Sequence, residues 1–95
     1  MTVEELRAGL EKIIAELENS GFEDIDSGTV KELENFTAVA GELDMTVGKR
    51  LIQNLFETMK AIQEGKSTAT SGNLRLTALD FYLKKHSDSG AVEDL

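Results

Sequence analysis

Gly41-Glu42-Leu43-Asp44-Met45-Thr46-Val47-Gly48 is the stretch on which the fold turns. It holds two glycines, each worth about 1 kcal/mol against a helix interior relative to alanine. It also holds two residues able to cap a new helix, Asp44 and Thr46. Yet the apolar pattern runs through it without a missed step. Val30, Leu33, Phe36, Ala40, Leu43, Val47, Leu51, Leu55, Met59 and Ile62 follow one another at spacings of three or four, the spacing of one helix face. Two solutions fit. Either a short corner separates two helices, or one helix covers residues 29–64, roughly 36 residues and about 54 Å long. We read a corner, which makes the chain an all-α protein, a small antiparallel bundle of four helices. The continuous helix reduces the count to three.

Working towards the N-terminus, Thr29-Val30-Lys31-Glu32 has the pattern of a capping box and places a helix start near Thr29. Residues 22–28 form a connection rich in acids and turn formers, with Phe22 and Ile25 expected to tuck over the helix ends. Before it, Thr2-Val3-Glu4-Glu5 is a second capping box. Val3, Leu6, Leu10, Ile13, Ile14 and Leu17 then share one face, with Glu11, Lys12, Glu16 and Glu18 opposite. Gly21 suits the left-handed residue that ends such a helix.

Working towards the C-terminus, the helix from about Val47 to Glu64 carries a broad apolar stripe. Gly65-Lys66-Ser67-Thr68-Ala69-Thr70-Ser71-Gly72 reads as a small polar loop. The last helix is expected over 73–86, capped by Ser71 or Asn73. Its Leu74, Leu76, Ala78, Leu79, Phe81, Tyr82 and Leu83 occupy more than half of the circumference, so it needs cover on two sides. Lys84, Lys85 and His86 in its last turn complement the helix dipole. Residues 87–95 are read as a frayed tail of a single domain spanning 1–95.

Composition narrows the function classes. The net charge is −8; residues 1–45 carry twelve acids against three bases, and residues 46–95 six against seven. An acidic first half repels a phosphate backbone and disfavours nucleic-acid binding. The chain has no cysteine, proline or tryptophan. Thiol chemistry and disulfides are thereby excluded, in keeping with a cytoplasmic protein. No basic-then-apolar signal opens the sequence, and no stretch approaches the roughly 20 apolar residues of a membrane span.

The candidate chemistries are weak. Gly65-Lys66-Ser67-Thr68 ends like a phosphate-binding loop, but Lys60 stands where that motif needs its first glycine, and a helix precedes it where a strand is required. His86, the single histidine, follows two lysines and lacks the Glu-x-x-His spacing of bundle metal sites, since Leu83 occupies the glutamate position. The pairs Glu4/Glu5, Glu16/Glu18, Glu32/Glu34 and Glu42/Asp44 fall off the apolar stripes and are expected to face water. No cofactor or catalytic residue is therefore assigned. The basic residues of the second half are expected to pair with acids across the bundle or across a dimer.

The apolar excess of the last two helices points to a non-enzymatic protein-protein interaction module: a helical adaptor, chaperone-like protein or regulatory subunit that self-associates, most simply as a homodimer. The surface expected to carry this is Leu51, Leu55, Phe56, Met59, Leu74, Phe81 and Tyr82. A small magnesium- or manganese-dependent hydrolase, or a subunit of one, is the alternative from another class. An acidic decoy of a nucleic-acid-binding protein is a third.

Overall fold

The structure, a computed structural model, describes residues 2–23 and 25–89, with side chains as far as Lys85. It contains four helices: α1 (Val3–Ser20), α2 (Ser27–Glu42), α3 (Thr46–Gln63) and α4 (Ala69–Ser89). α1 packs against α2 and α4, and α3 packs against the same two. The helices thus form a ring in chain order. Consecutive helices in contact, joined by connections this short, run antiparallel. The amide of Gln63, in the last turn of α3, donates to the Ile25 carbonyl just ahead of α2 at 3.2 Å, which fixes that direction for the central pair.

α1 forms as its sequence dictates. The Thr2 hydroxyl accepts from the Glu5 amide at 3.1 Å, and the Glu5 carboxylate accepts from the Thr2 amide at 2.9 Å. Both bonds satisfy amides that the first turn leaves without partners. Leu6, Leu10, Ile13, Ile14 and Leu17 are buried. At about 1.5–3 kcal/mol each as an upper estimate, they supply most of what holds α1 to the bundle.

The corner between α2 and α3 is real, and it is built on an unexpected residue. The Met45 amide donates to the Ala40 carbonyl at 2.9 Å and the Asp44 amide to that of Gly41 at 3.2 Å. This crossed pair is the Schellman ending of a helix, with Asp44 in the left-handed position at φ 58°. α3 ends in the same way. There Lys66 donates to Ala61 at 2.8 Å and Gly65 to Ile62 at 3.0 Å, with glycine in the left-handed position at φ 75°. Gly41 and Gly48, which suggested the break, both lie inside helices. The N-cap position of α3 falls on Met45 rather than on Asp44 or Thr46, and the Met45 side chain makes no capping bond.

Two further expectations are corrected. α2 begins at Ser27, capped by Asp26, whose carboxylate accepts from the Gly28 amide at 3.0 Å. Thr29 lies inside the first turn and is buried, so it cannot act as the cap. The loop expected over 65–72 is shorter, since α4 starts at Ala69. The Thr68 hydroxyl accepts from the Ser71 amide at 3.4 Å, taking the role assigned to Ser71 or Asn73. Gly72 is a helical residue pressed under the Phe22 ring: a methyl group there would meet Phe22 Cε1 at 2.8 Å. Gly9 of α1 is covered in the same way by Phe36 of α2, whose Cζ would stand 2.6 Å from a methyl group added there. α4 continues through Ser89, and the remainder of the expected frayed tail lies outside the described residues.

Candidate functional site

The core takes back several of the residues expected on an interaction surface. Leu55 and Met59 are fully buried, and Tyr82 is buried as well, so within this fold they are internal. Leu51 and Phe56 are half-buried against the core. Lys60 covers the Phe56 ring, its ammonium 5.9 Å from the centroid. Leu74 and Phe81 are different. Each is 69% exposed, on the outer side of α4.

The inward side of α4 is Leu76, Leu79, Tyr82 and Leu83, all buried. Leu74 and Phe81 stand seven residues apart, two turns of the same helix, with Ala78 between them. They line a shallow open depression of about 730 Å³ together with Thr70, Arg75 and Ala78. The apolar residues of α4 go nearly all round, so periodicity alone did not say which of them look outward. The second covering layer that the sequence calls for is absent among the described residues.

The rim of this face is more basic than the rest of the molecule. Arg75 is beside Leu74, and Lys84 and Lys85 follow Phe81; among the described residues Asp80 is held by Lys84 at 2.9 Å, and Glu18 of α1 lies near enough to act on the same lysine. That hydrogen bond and the carboxylate's charge raise the Lys84 pKa above the ordinary lysine value. Of the two pairings expected for these basic residues, the one across the bundle is not made by the ion pairs of the described residues. Lys84–Asp80 is one helical turn, and Lys66–Glu64, at 3.4 Å, is confined to the α3–α4 connection.

Known protein families, curated proteins and solved structures provide no match to this chain.

The other candidate chemistries meet the fold as follows. The Gly65-Lys66-Ser67-Thr68 stretch is the turn that ends α3, with Gly65 in the Schellman position and Lys66 paired with Glu64. The paired carboxylates Glu4/Glu5, Glu16/Glu18, Glu32/Glu34 and Glu42/Asp44 are all exposed. No group of three or more acid or imidazole side chains converges among the described residues. The His86 side chain lies outside them. No helix among them is long and apolar enough to cross a membrane.

Proposed function

We propose that the chain is a non-enzymatic interaction module that docks an amphipathic helix on the outer face of α4. The observation that carries this is the exposure of Leu74 and Phe81 on one stripe of a helix whose other side is fully used by the core. Large apolar side chains set in line on a regular helix are a recurrent docking pattern, read by a partner's own residues at spacings of three, four and seven. Covering each of them is worth roughly 1.5–3 kcal/mol before the losses of association.

The rim selects the chemistry of the occupant. Arg75, Lys84 and Lys85 outnumber Asp80 and Glu18 around the stripe, so a partner helix with acidic flanks gains attraction there. A second copy laid α4 against α4 sets these same cations close together.

The test uses a labelled helical peptide with leucines at i, i+4 and i+7 and glutamates on the flanks, titrated by fluorescence anisotropy. The unaltered chain is expected to bind it saturably and more weakly as salt rises. Phe81→Asp is expected to lose binding while keeping its melting temperature, and the same peptide with lysine flanks is expected not to bind. Equal binding by the unaltered chain and by Phe81→Asp contradicts the proposal.

A further inference from the structure

The two Schellman corners of this chain differ in one respect. Gly65 takes the left-handed position at the end of α3, and Asp44 takes it at the end of α2. Left-handed backbone is disfavoured for residues with a Cβ, less so for aspartate than for most, and free of that penalty for glycine. The α2–α3 corner is thus the one that holds a Cβ in the left-handed position, and it is only three residues long. At the same time the apolar spacing of three and four continues through the corner, as a single helix requires. Leu43, Val47 and Leu51, one turn apart from each other, mark that continuation. All three are incompletely covered in the folded monomer, Val47 remaining 39% exposed.

We infer that the α2–α3 corner is a hinge through which two copies of this chain exchange halves. Asp44 leaves the left-handed region and residues 27–63 become one helix. The α3–α4 hairpin of each copy then packs against the α1–α2 hairpin of the other. The α1–α2 and α3–α4 contacts stay within a chain, and the α2–α3 and α1–α4 contacts re-form between chains. Of the core, only Met45, buried in the corner itself, has to find new cover. Leu43, Val47 and Leu51 lie at the middle of the straightened helix, beside the same residues of the second copy, and gain cover that the monomer does not give them. A short hinge under backbone strain favours this exchange. The inference is independent of the α4 face, which stays exposed in both forms.

The test is mass by light scattering over a hundredfold range of concentration for the unaltered chain, Asp44→Gly and Asp44→Ala. Alanine penalises the left-handed corner and favours the helix, whereas glycine does the reverse, a difference of roughly thirtyfold per hinge. Each dimer has two hinges, so the dimer dissociation constants of the two variants are expected to differ on the order of a thousandfold, Asp44→Ala being the tighter. Asp44→Gly folds without strain and is expected to dimerise more weakly than the unaltered chain. Phe81→Asp is expected to leave the dimer intact. Indistinguishable masses for Asp44→Ala and Asp44→Gly at every concentration overturn the inference. So does a dimer that disappears in Phe81→Asp, because that dimer is held by the α4 face.

Discussion

Asp44, Gly72 and Glu5 each show one side chain, or its lack, deciding local structure. Asp44→Gly removes a left-handed Cβ, and glycine returns some of that gain as extra freedom in the unfolded chain. The monomer is expected to gain up to about 1 kcal/mol, seen as a melting temperature a few degrees higher. Gly72→Ala pushes a methyl group to within 2.8 Å of Phe22, a ring only 2% exposed that has to shift to make room. It is expected to destabilise by about 1–3 kcal/mol in denaturant titration. Glu5 accepts the Thr2 amide and hydroxyl contact of the capping box, which holds its carboxyl below the usual glutamate range. A depressed folded pKa gives stability that is present above the unfolded value, ~4.3, and is lost as pH falls through the folded one. The melting temperature of the unaltered chain is therefore expected to fall more steeply between about pH 5 and 3 than that of Thr2→Ala. At neutral pH that variant is expected to be less stable by about 1 kcal/mol. Of these three residues only Glu5 was legible in advance. Its role follows from local spacing, whereas those of Asp44 and Gly72 depend on which backbone conformation or which ring the fold brings to them.

At the scale of the element, α1 was readable in its cap, its stripe and the glycine that ends it, although Gly21, at φ 76° and ψ −170°, takes an extended positive-φ conformation and not the left-handed helical one expected. α4 was not. Gly-Lys-Ser-Thr-Ala-Thr-Ser-Gly has the composition of a turn, and nothing local distinguishes a flexible glycine from one required beneath an aromatic ring. Tertiary contact with Phe22 overrides that composition and starts the helix four residues earlier than expected. The difference is measurable. The Gly72 amide donates to the Thr68 carbonyl at 3.1 Å. Its hydrogen exchange is expected to be slowed well below the rate of an unstructured glycine, and exchange at the unstructured rate contradicts the assignment. The corner between α2 and α3 was legible as a break but not in its construction. Both glycines that suggested it proved to be helical, and the residue that turns the chain carries a side chain.

For the whole molecule, charge and apolar surface fall in different places. The acids crowd α1 and α2, which are neighbours in the ring, while α4 presents its leucine and phenylalanine outward within a basic rim. The sequence showed that α4 had more apolar residues than one contact could cover. It did not show that Leu55, Met59 and Tyr82 belong to the core and Leu74 and Phe81 to the outside, because that depends on which way α4 is rotated against α3 and α1. Since Leu74 and Phe81 contribute little to the monomer, Leu74→Asp and Phe81→Asp are expected to keep its stability within about 0.5 kcal/mol.

The most direct measurement is a two-dimensional amide NMR titration of the isotope-labelled chain with the acidic amphipathic peptide. Shifts centred on Leu74, Ala78, Phe81 and Lys85, with α1 and α2 unmoved, are the result expected of a docking face on α4. Shifts centred on another helix, or none at saturating peptide, contradict it.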